Sequence, residues 1–181
     1  MKKIAPMCVM ALIAASAILA ATNPMVGGHE MLPSKNIVQN ALNSDDHTTL
    51  VAAVKAAGLV DTLQGPGPFT VFAPTNEAFA KLPAGTVDTL LMTENKSMLT
   101  RVLTYHVVSG RMYTRDIAKA IKAGNGKAQL NTVSGGKLWA SMDGKDLILT
   151  DEKGEMAKVT IANVYQSNGV IHVIDTVLLP N

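Results

Sequence analysis

Phe69-Thr70-Val71-Phe72-Ala73-Pro74-Thr75-Asn76-Glu77-Ala78-Phe79 is the stretch on which the fold turns. Its first half is aromatic and β-branched, as a strand prefers. Phe69, Val71 and Ala73 share one face of that strand and Thr70 and Phe72 the other, so it is apolar on nearly both faces and reads as buried. At Pro74-Thr75 the chain turns into a helix. The Thr75 hydroxyl can accept from an orphan backbone N–H, and Glu77 lies near the positive end of the helix dipole. Thr75 and Asn76 are therefore read as structural residues that satisfy backbone donors at a sharp change of direction.

Upstream, Gly65-Pro66-Gly67-Pro68 cannot continue a helix and isolates the strand from a helical region. There Leu50, Val51, Val54 and Ala57 repeat with helical spacing, Asp46 or Thr48 is the expected cap, and Gly58 is the stop. Leu59, Val60 and Leu63 add an apolar turn, and Ile37, Val38 and Ala41 form a short helical face after Ser34. Downstream, helices are predicted at about 87–92 and 96–104, and from Thr114, a good N-cap, to Ala123. Beyond Gly124 the period changes to two. Turn signals at Ser134-Gly135-Gly136, Asp143-Gly144, Lys153-Gly154 and Asn168-Gly169 separate strands expected at 130–133, 137–142, 147–150, 159–164 and 170–178, an antiparallel meander. Helices first and strands second predict an α+β fold, with helices covering a sheet that includes the Phe69 strand.

The ends of the chain bound its compartment and its partners. Lys2 and Lys3 precede an uncharged apolar stretch from Ile4 to Ala21, the outline of a secretory signal. Small residues close it, so cleavage is expected after Ala20 or Ala21 and the protein is expected to be secreted or periplasmic. Residues 1–21 are read as signal peptide, 22–34 as a flexible leader with little to pack, and 35–181 as one domain. Cys8 falls inside the signal, which leaves a mature chain without thiol or disulfide. Removing Lys2 and Lys3 from 16 basic residues leaves 14 against 14 acidic ones. A balanced charge gives no reason to expect nucleic acid or a polybasic membrane patch, and no second apolar run is long enough for an integral membrane segment.

Three segments together resemble the fasciclin family, in its single-domain bacterial secreted form. They are the opening Phe69-to-Phe79 stretch, Tyr105-His106 after an apolar helix, and Asn168-Gly169-Val170-Ile171-His172-Val173-Ile174-Asp175-Thr176-Val177-Leu178-Leu179-Pro180. The resemblance covers about residues 35–180 and implies a wedge-shaped antiparallel β-sandwich with helices packed around it. It also implies a binding or adhesion module rather than an enzyme, with a cell-surface protein or polysaccharide as partner and no cofactor. Carriage of a small apolar ligand such as a carotenoid is the alternative it offers. Thr75, Asn76, Asn168, Gly169, His172 and Asp175 are the signature residues with expected structural roles.

Tyr105-His106 is the position to which the resemblance attaches adhesion. In vertebrate fasciclin-like matrix proteins a Tyr-His flanked by branched aliphatics has been linked to integrin binding, and Leu99, Val102, Leu103, Val107 and Val108 supply such flanks here. The same pattern builds core, because a histidine between apolar stretches is more often buried and hydrogen-bonded. His172 and Asp175 fall on opposite faces of their strand and cannot form a catalytic pair. The sequence has no Gly-x-Ser-x-Gly elbow and no phosphate-binding loop in the required strand-to-helix order. Met25, His29 and Met31 are a weak soft-metal cluster in the leader, and no metal site is assigned.

Overall fold

A computed structural model describes residues 23–181. The expected signal peptide, Cys8 and the expected cleavage position lie outside them. The chain opens with a two-strand hairpin, β1 (Met25–Val26) and β2 (His29–Glu30), followed by α1 (Ile37–Ala41), α2 (Thr48–Ala57) and α3 (Val60–Gln64). Then come β3 (Phe69–Pro74), α4 (Asn76–Ala80), α5 (Thr86–Leu91), α6 (Lys96–Tyr105), β4 (Val107–Ser109) and α7 (Thr114–Ala123). The rest is strand: β5 (Lys127–Asn131), β6 (Lys137–Asp143), β7 (Asp146–Thr150), β8 (Met156–Gln166) and β9 (Gly169–Ile174).

The α+β class matches expectation, and so does the β5-to-β9 meander, in which each strand runs antiparallel to the next. One pairing was not legible. β9 lies between β8 and β3 and runs parallel to β3, from Phe69 opposite Gly169 to Pro74 opposite Ile174. The result is one mixed seven-stranded sheet in the order β4-β3-β9-β8-β7-β6-β5. Its two ends meet: Val108 bridges Thr132, and Val133 N–H donates to the Val107 carbonyl at 2.8 Å. The sheet thus nearly closes into a barrel-like wedge.

Alternation along β3 and β9 divides the apolar residues into two cores. Val71, Ala73, Ile171 and Val173 face the helices α1 to α6. Phe72 and Ile174 face the inside of the wedge, where Ile117 and Ile121 of α7 plug the space between Leu138, Leu149 and Leu178. Both faces of the central pair are covered, which is why these strands read as almost continuously apolar.

Residues 23–33 are not the unpacked leader that their Gly and Pro content suggested. Val26 and Met31 are buried in the helical core at 4% and 2% exposure. Two asparagine side chains imitate a neighbouring strand to hold this segment. Asn23 donates to the Tyr165 carbonyl and accepts the Tyr165 N–H, both at 2.7 Å. Asn40 makes the same pair of bonds to Leu32, at 2.9 and 3.1 Å.

Candidate functional site

The Tyr105-His106 pair ends α6, and both side chains point into the core. Tyr105 is wholly buried and its ring lies against Gly136, where an added Cβ would meet it at 2.6 Å. Its hydroxyl donates to the Lys137 carbonyl at 2.6 Å and accepts the Glu152 N–H at 3.1 Å. Burial pushes this phenol up to about 12. In His106, Nδ1–H donates to the Val102 carbonyl at 2.8 Å and Nε2 accepts the Leu178 N–H at 3.0 Å. Burial lowers the imidazole to about 4, so it is neutral at pH 7. The expected adhesion residues are therefore corrected to core residues: neither reaches the surface, because the aliphatic flanks that suggested a motif pack around them.

The signature residues make a frame. The Thr75 hydroxyl accepts the Ala78 N–H at 3.2 Å and caps α4. Asn76 reaches across to α2, accepting the Thr49 N–H at 3.0 Å and donating to the Asp45 carbonyl at 2.9 Å. This supplies a partner at the N-terminus of α2, where the expected caps Asp46 and Thr48 make no side-chain cap bond. Asn168 accepts the Ile37 N–H that opens α1 at 3.1 Å and donates to Leu63 and Gly65 carbonyls at 2.7 and 2.8 Å. Gly169 lets β9 approach β3, since a Cβ there would lie 2.2 Å from the Phe69 carbonyl oxygen. Asp175 accepts the Lys158 N–H at 2.9 Å and faces Lys81 at 3.6 Å, away from His172.

His172 leads to a recess that the sequence did not reveal. Its ring stacks on Phe72, centroid to centroid 5.6 Å, and burial holds its pKa below the usual imidazole value. Nε2–H donates to the Met112 carbonyl at 2.9 Å, and Nδ1 accepts the Asn163 N–H at 3.3 Å. Asn163 sits in the irregular middle of β8 with φ of +57°, a conformation asparagine tolerates better than most residues. From there its side chain accepts the Thr114 N–H at 2.9 Å and donates to the Thr114 hydroxyl at 2.8 Å, capping α7 from outside. A buried histidine thus fixes the loop before α7 and the irregular part of β8, and between them Tyr113, Thr114, Arg115, Asn163 and Tyr165 line an open polar cleft of about 210 Å³. The two tyrosine rings are 5.4 Å apart and tilted by 51°, and the Arg115 guanidinium lies 5.3 Å over the Tyr113 ring.

Thr114 and Arg115 also line an adjoining groove of about 360 Å³, completed by Ala118, Met142, Lys145 and Leu147. Half-buried aromatic and amphipathic side chains lining a recess are typical of binding surfaces. A different cavity, apolar and enclosed by α1, α2, α3 and the tip of α6, offers only about 40 Å³. That is room for little more than a water or two, too narrow for a carotenoid in this conformation. Among the described residues no three His, Cys, Asp or Glu side chains gather into a metal-binding group. Met31 is buried while Met25 is exposed, and His29 faces Asp45.

The sequence profile of the Fasciclin domain matches residues 45–180. The chain belongs to the fasciclin family. It is 48% identical over 145 residues to protein sll1483 of Synechocystis sp., covering 80% of this chain and 73% of that one. It is 35% identical to the cell surface glycolipoprotein MPB83 of Mycobacterium bovis, over 89% of this chain and 68% of the relative. A solved fasciclin domain pair from the insect cell adhesion molecule fasciclin I superposes with a TM-score of 0.70 at 19% identity, over 80% of this chain and 51% of that one. That likeness concerns the fold. Among the described residues of this fasciclin domain, no helix is long and apolar enough to cross a membrane.

Proposed function

We propose that this fasciclin domain is a non-enzymatic binding module, secreted or periplasmic after cleavage near Ala21, that attaches to a surface macromolecule, protein or polysaccharide. The observation that carries the reading is the Tyr113–Tyr165 cleft. It places two aromatic rings, a guanidinium and hydroxyl groups at the surface, on a frame fixed by the buried His172. The histidines His47, His106 and His172 are buried, and burial lowers the pKa of each. They stay neutral and brace the fold, whereas a general base must reach the proton it abstracts. A relative described as a cell surface glycolipoprotein supports the same class of role.

The test is retention on envelope fractions of the native host. The purified protein should sediment with the envelope, and a Tyr165→Ala/Arg115→Ala variant with an unchanged unfolding midpoint should sediment several-fold less. Equal retention of the two proteins would remove the cleft as the contact surface.

A further inference from the structure

Resting on the cleft as the contact surface, we infer that its ligand is a neutral polysaccharide, with one pyranose ring stacked against the joint surface of the Tyr113–Tyr165 pair and the next continuing along the adjoining groove. The choice follows from what the cleft can and cannot satisfy.

An aromatic face carries negative charge density and attracts the weakly positive C–H groups that line one side of a pyranose ring. The two rings, in contact at 5.4 Å and tilted by 51°, together form an aromatic wall of a recess of about 210 Å³. At its wall stand hydrogen-bonding groups suited to sugar hydroxyls: the Arg115 N–H groups not turned toward Asp116, and the tyrosine hydroxyls. The adjoining groove shares Thr114 and Arg115 with the cleft, so the two form one continuous track. Its floor of Ala118, Met142 and Leu147 offers C–H surface for a following ring, and Lys145 offers a donor.

A polyanion fits less well, because carboxylates accompany the positive charges along this track. Arg115 Nε lies 3.7 Å from Asp116, and along the chain Lys145 falls between Asp143 and Asp146 in the β6–β7 turn. A peptide fits less well too. Adding a strand requires free backbone groups at a sheet edge. Beside the cleft those of Tyr165 are taken by Asn23 on one side, and β9 pairs along the other.

The experiment is titration of the purified protein with cellohexaose and mannohexaose as neutral probes, hexagalacturonate as an acidic one, and a Gly/Ser/Glu peptide of similar length. Amide chemical shifts provide the readout. At least one neutral hexaose should shift the amides of Tyr113, Arg115 and Tyr165 first and those of Ala118 and Leu147 with them. Tyr165→Ala should weaken binding about tenfold, and Arg115→Ala, whose side chain is exposed, should weaken it without touching the fold. Lys145→Ala should weaken the hexaose and leave the corresponding monosaccharide unchanged. Binding of the acidic hexaose or the peptide alone overturns the inference, as does a neutral response that Tyr165→Ala leaves intact or no response to any probe. If envelope retention still depends on Tyr165 and Arg115 in those cases, the cleft remains a contact surface and only its ligand class has been wrong.

Discussion

His106 Nε2 accepts the backbone N–H of Leu178 at 3.0 Å, tying the end of α6 to the C-terminal segment across the core. With a folded pKa of about 4 against about 6.5 unfolded, the buried ring resists protonation. Its contribution is therefore fully present above pH 6.5, falls as pH drops, and is lost near pH 4. The span corresponds to about 3 kcal/mol, and burial of His47 and His172 acts in the same direction. His106→Leu should cost about 2–4 kcal/mol at pH 7.5 by leaving the Leu178 donor and the Val102 acceptor unpaired. Urea midpoints at pH 7.5 and 4.5 should then differ less for the variant than for the parent. Equal differences would assign the acid sensitivity elsewhere.

A chain beginning at Lys35 should be much less stable than one beginning at Asn23, although the family profile starts only at residue 45. It loses the burial of Val26 and Met31, about 2 kcal/mol for each, together with the Asn23 clamp on Tyr165. Calorimetry should show the midpoint falling by roughly 10 °C. An unchanged midpoint would mean that the segment only rests on the surface.

Asn163→Gly separates backbone from side chain. Glycine accepts the positive φ, so the β8 irregularity persists while the outside cap of α7 disappears. The expected loss is about 1 kcal/mol, accompanied by faster amide exchange at Thr114 and its neighbours. A loss of several kcal/mol would show that the irregularity itself depends on the side chain.

Two glycines should respond differently to alanine. At Gly169 the new Cβ meets the Phe69 carbonyl at 2.2 Å, in the parallel ladder where neither strand can retreat. Gly169→Ala should cost about 3 kcal/mol or more. At Gly144 nothing lies within 4 Å, and only the backbone strain at φ +60° remains. Gly144→Ala should cost about 1 kcal/mol. Urea denaturation of both variants ranks them directly.

Local periodicity carried most of the fold. The two-faced strand at Phe69–Pro74, the Thr75 cap, the left-handed Gly58 stop and the meander after Gly124 all depend on residues within a few positions of one another. What escaped was non-local. Helices α1, α2 and α7 receive N-terminal acceptors from Asn168, Asn76 and Asn163, each distant in sequence, so no spacing rule could assign them. Strand β4 is three residues long and directly follows a helix whose apolar face masks it. The cleft escaped for the same reason, since Tyr113 and Tyr165 meet only after β8 folds across α7. One local sign was available: Asn163 interrupts an otherwise period-two strand, as a bulge residue does.

Because β9 lies between β3 and β8, the last strand made joins the two halves of the sheet. Until residues 169–174 are available, Phe69–Pro74 has only the short β4 beside it, and the meander has no neighbour on its β8 side. A chain that emerges N-terminus first therefore carries an unfinished ladder until residues 169–174 follow. Parallel pairing over about a hundred residues also makes closure slow. The topology postpones cooperative folding until residues 169–174 have emerged.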